Sequence, residues 1–264
     1  MKILLIITGH QQLNEYFYNS FILKEQCGFL SENSDLFIHV NKNDIGHNLI
    51  DFYNMFPQKN KKLFITTKNE GYRLGGIEAI SDIIDMNVCS EYDYVIHTHP
   101  DVIFTRDDII KKHMEENLHN DTCFFITKSM PGDDNFFSFD FFMFKPKLLK
   151  INIFKTIDFY RYDSSPEHFL HDVIINNNIN YTMIKRYNNE FWHPRRIDEH
   201  LGIWHEHDLY RLDLYISRDK NNSEDDKNNS EDDERARMAK ARARMTKARE
   251  RMTNKKNTPT SQFK

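Results

Sequence analysis

Tyr94-Val-Ile-His-Thr-His-Pro-Asp-Val-Ile-Phe104 is the stretch on which the fold turns. An apolar strand start, Tyr94-Val95-Ile96, runs directly into His97, His99 and Asp101, and the chain becomes apolar again at Val102-Ile103-Phe104. Imidazoles and a carboxylate at the end of a buried strand are where an α/β protein holds a ligand or a metal. The same residues also read as an ordinary turn, with Pro100 breaking the strand and Asp101 bonding its own backbone.

Working outward, strands and helices alternate. Residues 2–8 form a short apolar strand ending at Thr8-Gly9-His10, and apolar positions at helical spacing follow over 13–27 (Leu13, Phe17, Phe21, Ile22). Residues 35–40 are a second strand, 45–56 an amphipathic stretch and 62–66 a third strand. Past Gly71, a helix over 74–87 places Leu74, Ile77, Ile80 and Ile84 on one side, and the 94–104 stretch is the fourth strand. Continuous apolar strands separated by helices predict an α/β fold, Rossmann-like, with a mostly parallel sheet and helices on both faces. Beyond it come a helix at 107–116, a strand at 122–127, a Gly/Asp/Asn loop at 131–135 and the very aromatic segment 136–144. Pro146 can open a helix; another spans 166–175, ended by Asn176–Asn178, and a late strand covers 181–185.

The 264 residues allow one ordinary domain and an appendage. The formal net charge of −4 argues against a nucleic-acid-binding core. Cys27, Cys89 and Cys123 are far apart, an odd and sparse set that fits reduced thiols. The apolar run after Lys2 is too short for a secretory core or a membrane span, so a cytoplasmic location is expected. Near residue 218 the composition changes. Asn221-Asn-Ser-Glu-Asp-Asp-Lys227 is repeated almost unchanged at 228–234, and a basic seven-residue unit then recurs three times. Residues 1–217 are therefore read as the domain and 218–264 as a tail. Its acidic part is too polar to fold. Its basic part sets Met238, Ala241, Met245, Ala248 and Met252 at heptad spacing, either a weak self-associating coiled coil, a face for an anionic partner, or a solvated repeat.

Polar groups cluster where strands end. Gly9 permits a tight turn after Thr8, so the Thr8-Gly9-His10 loop can receive a ligand, and Asn41 ends the second strand. His39, within that strand, reads as a core histidine. In Asn69-Glu-Gly-Tyr-Arg-Leu-Gly-Gly-Ile-Glu78, Gly71 and the Gly75-Gly76 pair allow a ligand close to the backbone. The Arg73 fork matches phosphate oxygens, unless it is simply solvated at a loosened helix start. His205 and His207 bracket Glu206 beside Trp204; on an extended segment both imidazoles share a face, a metal arrangement or a polar surface segment. No Walker loop, Gly-x-Gly-x-x-Gly, Gly-x-Ser-x-Gly or His-Glu-x-x-His occurs.

In the order of its elements over residues 1–215 the chain resembles the GT-A glycosyltransferases. Residues 69–80 are similar to the helix segment beneath the nucleotide-sugar diphosphate, and His99-Pro100-Asp101 stands where the family has Asp-x-Asp. Asp35-Leu-Phe-Ile-His39 resembles the second strand of polysaccharide-type members. The resemblance implies transfer of a sugar from a nucleotide-diphosphate donor to a hydroxyl of a glycan or glycoconjugate. It implies that Thr8, Gly9, His10, Asn41, Arg73, Gly76, His99 and Asp101 surround the donor. Asp101 would ligate Mn2+ or Mg2+, completed by His205 or His207, because hard cations suit carboxylate and phosphate oxygens. His99 in place of the first Asp leaves that set one carboxylate short, and a metal-free site could use Arg73, Arg195 and Arg196 instead. Glu167 resembles the family's late acidic motif and would be the base that deprotonates the acceptor, with Asp140 its rival. Either carboxylate also has a structural reading, Glu167 at a helix N-terminus and Asp140 in a local turn. A sugar nucleotidyltransferase is a second reading, although a Gly-rich basic loop after the first strand is missing. A non-catalytic binding or scaffold protein is a third.

Overall fold

A computed structural model describes residues 1–9, 13–41, 48–67, 71–128, 137–149, 165–184 and 203–205, all within a unit spanning Met1–His207. The predicted tail at 218–264 lies outside the described residues, as do His10, Arg195, Arg196 and His207.

Seven strands make the main sheet: β1 (Ile3–Gly9), β2 (Ser34–Val40), β3 (Lys61–Ile65), β4 (Tyr94–Thr98), β6 (Phe124–Lys128), β7 (Phe137–Phe144) and β8 (Tyr181–Met183). Their order is β3-β2-β1-β4-β7-β6-β8. β1 runs parallel to β2 and β4, β2 to β3, and β6 to β8, while β7 is antiparallel to both β4 and β6. The sheet is thus mostly parallel with one reversed strand. A second, two-stranded sheet pairs β5 (Val102–Phe104) with β9 (Ile203–His205).

Period-two alternation along β1 divides the core. Ile3, Leu5 and Ile7 pack on one face with Leu23 of α1 (Leu13–Gln26), Leu30 of α2 (Gly28–Asn33), Leu49 of α3 (Asn48–Met55) and Ile110 and Met114 of α5 (Asp108–Asn117). Leu4 and Ile6 pack on the other face with Ile77, Ile80 and Ile83 of α4 (Gly71–Asp85) and Phe169, Leu170, Val173 and Ile174 of α6 (Pro166–Asn176). Two buried faces are why the strands are apolar throughout rather than alternating. Among the described residues eleven phenylalanines, from Phe37 to Phe169, are almost completely buried, each contributing roughly 1.5–3 kcal/mol.

Four details differ from the sequence expectation. The 94–104 stretch is two strands in two sheets, because a turn at Pro100 redirects the chain after Thr98. α4 begins at Gly71, so Gly75 and Gly76 lie inside the helix rather than at its start. A separate helix, α2, follows Cys27, and Pro146 opens only a single 3-10 turn, Pro146–Leu148.

Candidate active site

The parallel register aligns the C-terminal ends of three strands, pairing Gly9 with Val40, Thr8 with His39 and Ile7 with Thr98. In open α/β sheets that edge is where ligands bind. Here it gathers Thr8, Gly9, Asn41, His97, His99 and Asp101.

His97 is fully buried, and its Nε2 lies 2.9 Å from Thr8 Oγ1, tying β4 to β1. It stacks on Phe142 at 4.6 Å and meets Phe139 edge-on. Burial first, then the neighbouring His99, holds its pKa well below that of a free histidine, so it is neutral. His39 on β2 is likewise buried, bonded through Nε2 to Asp82 of α4 at 3.0 Å, with its pKa lowered by burial.

Beyond β4 the backbone is tied at successive points. The His99 N–H donates to the Asp140 carbonyl at 3.0 Å, extending the β4–β7 ladder, and the Val102 N–H donates to the His99 carbonyl at 3.2 Å, closing a turn. Pro100 falls at the second position of that turn, where its fixed φ is favoured. Asn19 of α1 donates through Nδ2 to the carbonyls of Pro100 at 3.3 Å and Val102 at 2.8 Å. Asp101, between them, is 3% exposed.

Asp140 reaches His99 through an irregularity in β7. Phe137 and Phe139 face the α4–α6 side, Phe141 the opposite side and Phe142 the α4–α6 side again, so the alternation slips by one residue. The β6–β7 register shifts over the same segment. A bulge of this kind re-aims a side chain, and here Asp140 Oδ1 lies 3.4 Å from His99 Nδ1. Glu167 stands in the first turn of α6, whose N-cap Ser165 accepts from the His168 N–H. Burial raises its pKa, its own backbone amide opposes that, and the charge of Asp140 raises it further. Asp140, His99 and Glu167 therefore share one electrostatic neighbourhood.

Asn41 Oδ1 is buried without a hydrogen-bond partner, and the bare Cα of Gly75 abuts this amide; a Cβ there would lie 1.8 Å from Asn41 Nδ2. Gly76 similarly lies against Phe139, whose Cε1 would be 2.7 Å from an added Cβ. The two glycines let α4 approach the sheet edge. Of Arg73 only the backbone, within α4, is described. The antiparallel β5–β9 ladder sets His205 opposite Val102, one residue from Asp101. Among the described residues no group of three or more His, Cys, Asp or Glu is arranged to hold a metal ion. No described helix is long and apolar enough to cross a membrane. Asn19 was not anticipated; its trace in the sequence is the polar pair Asn19-Ser20 inside an otherwise apolar helical run.

The sequence matches no protein-family model and no curated protein sequence. Solved structures do share the fold. A mannosyltransferase from Pyrobaculum calidifontis, in complex with GDP-Man and Mn2+, aligns with a TM-score of 0.50 at 9% identity, over 82% of this chain and 61% of that one. A cytidylyltransferase from Leptospira borgpetersenii serovar Hardjo-bovis aligns with a TM-score of 0.50 at 12% identity, over 82% and 86%. Mouse xyloside xylosyltransferase 1 aligns with a TM-score of 0.49 at 10% identity, over 78% and 97%. The chain spans about three fifths of the length of the mannosyltransferase. A mannosyltransferase and a cytidylyltransferase share this architecture, so chemistry must be argued from the site. The fold of this chain is the one these structures share, a mostly parallel α/β sheet of GT-A-like architecture.

Proposed function

We propose that the protein is a glycosyltransferase that moves a sugar from a nucleotide-diphosphate donor to a hydroxyl of a glycan or glycoconjugate. The observation behind this reading is the Asp140–His99–Glu167 group, with Asp101 two residues beyond His99 on the turn that leaves the same sheet edge. In this reading the donor lies along Thr8, Gly9, Asn41 and Gly76, with His10 and Arg73 also contributing. The acceptor oxygen bonds to the anomeric carbon as the bond from that carbon to the diphosphate oxygen breaks. The acceptor proton passes to a carboxylate and the diphosphate leaves with the bonding pair. Glu167 is the proposed base, since its raised pKa makes it the better proton acceptor at neutral pH, while Asp140 is engaged by His99.

A divalent Mn2+ or Mg2+ would stabilise the departing diphosphate. Asp101 would ligate it, with His205, brought beside it by the β5–β9 ladder, or His207. The described side chains alone do not make such a site, so His99, Arg73, Arg195 and Arg196 are the proposed alternative source of positive charge. The 218–264 segment is proposed as an appendage outside the catalytic domain, open to self-association or an anionic partner.

The test is a hydrolysis and transfer screen over UDP, GDP and dTDP sugars, with Mn2+ and after chelation, on the whole chain and on one ending at residue 217. Release of a nucleoside diphosphate, undiminished in the shorter chain, is expected. Turnover unaffected by chelation would remove the metal. The equal likeness to a cytidylyltransferase favours one second reading, and pyrophosphate release from a nucleoside triphosphate and a sugar phosphate would establish it instead. Binding without any turnover would leave a scaffold.

A further inference from the structure

We propose that Asn19 is a positioning residue that clamps, from α1, the turn presenting Asp101. Asn19 lies inside α1 and is 0% exposed. A mid-helix asparagine is unfavourable, and a buried amide is costly unless bonded. Its Nδ2 reaches across 81 and 83 residues of sequence to the carbonyls of Pro100 and Val102, which flank Asp101. Both partners are acceptors, so only the NH2 side of the amide can face them; its orientation is set by chemistry. Its Oδ1 is buried without a partner, so the residue is held in place by these two bonds.

The turn needs such a clamp. Pro100 has no N–H and cannot tie its own peptide into a ladder. Among the turn's other ties, His99 N–H to Asp140, Thr98 Oγ1 to the His99 carbonyl and Val102 N–H to His99 hold its two ends. Asn19 fixes the Pro100–Asp101 peptide plane that precedes Asp101 and the Val102–Ile103 plane one residue beyond it, and so brackets the direction in which the Asp101 carboxylate leaves the backbone. Since His99 and Asp140 are joined by separate bonds, loss of Asn19 acts on Asp101 and spares that pair.

The catalytic consequence rests on the transferase reading, but the clamp itself does not. Whole-chain Asn19→Ala is compared with the parent protein by amide hydrogen exchange and by steady-state turnover of whichever nucleotide sugar the parent uses. The amides of Asp101 and Val102 are expected to exchange about tenfold faster or more, while those of Leu5 and Ile96 keep their protection. Turnover should fall about tenfold or more in kcat, with KM for the donor within about threefold, since misplacing one group costs that much. Asn19→Ser, which keeps a donor too short to reach both carbonyls, should fall between the two and serves if the alanine variant does not fold. Unchanged exchange at Asp101 and Val102 would overturn the clamp. Faster exchange with unchanged kcat would reduce Asn19 to a staple between α1 and β5. If the parent protein turns over no nucleotide sugar, the transferase reading fails, and the exchange result still decides whether Asn19 holds the turn.

Discussion

In the proposed reaction Glu167 and Asp140 are rivals for the acceptor proton, and their surroundings separate them. Glu167 is half-buried, and its raised pKa arises from burial, opposed by its own backbone amide, and from the charge of Asp140. Asp140 has His99 beside it at 3.4 Å. A base must be ionised to act, so the acid limb of the turnover profile should lie above the ordinary glutamate range. Glu167→Gln is expected to lower kcat by about a hundredfold or more while leaving donor affinity intact, because a base contributes roughly that much. Asp140→Asn removes a negative neighbour, so Glu167 ionises more easily and the acid limb should move to lower pH. The pH dependence of kcat for both variants checks this. A profile that keeps its acid limb in Glu167→Gln and loses it in Asp140→Asn would exchange the two roles.

Among the elements, α4 shows how packing limits what sequence reveals. Gly75 and Gly76 read as a loosened helix start, yet they lie within the helix and let it close on Asn41 and Phe139. Alanine at Gly75 gains up to about 1 kcal/mol in helix propensity. Its Cβ, however, would fall 1.8 Å from Asn41 Nδ2 and 2.8 Å from Cγ, so the buried amide must be displaced. Gly75→Ala should therefore destabilise by about 1–3 kcal/mol, as overpacking does. In an Asn41→Ala background the obstacle is gone and the same change should stabilise by about 0.5–1 kcal/mol. Urea unfolding of the four proteins measures the coupling, and additive effects would refute it. The strand–helix alternation through α4 was legible because each element announces itself in local periodicity. The break at Pro100 was legible only as a turn. That Val102–Phe104 leaves the main sheet depends on Ile203–His205, a partner about a hundred residues away. The bulge that turns Asp140 toward His99, and the reach of Asn19 to Pro100, are tertiary events without a local pattern. Asp101, His99 and Glu167 could be picked out by residue type and place; the bonds that aim them could not.

At the scale of the whole molecule, histidines buried against the sheet couple stability to pH. His97 and His39 sit on the α4–α6 side of the sheet, both with pKa values lowered chiefly by burial, and His113 on α5 is lowered in the same way. In the unfolded chain these imidazoles take up protons as pH falls through about 6.5, while the folded chain does not. The unfolded state then binds more protons, so stability must fall as pH drops below 6.5, by up to about 1.4 kcal/mol per pH unit for each such group until its folded pKa is reached. Asp107 and Glu167 act oppositely. Burial raises their folded pKa values, so their contribution grows as pH falls through those values and offsets part of the histidine loss. The net expectation is a decline in unfolding free energy between pH 7.5 and 5.5 that flattens at lower pH. His97→Gln should lose stability at pH 7.5, because Phe139 and Phe142 lose a packed ring, yet show a shallower decline on acidification. Urea unfolding of both proteins across that range is the measurement. An equal decline in the variant would mean that the buried histidine at the junction of β1, β4 and β7 does not set the acid limit of the fold.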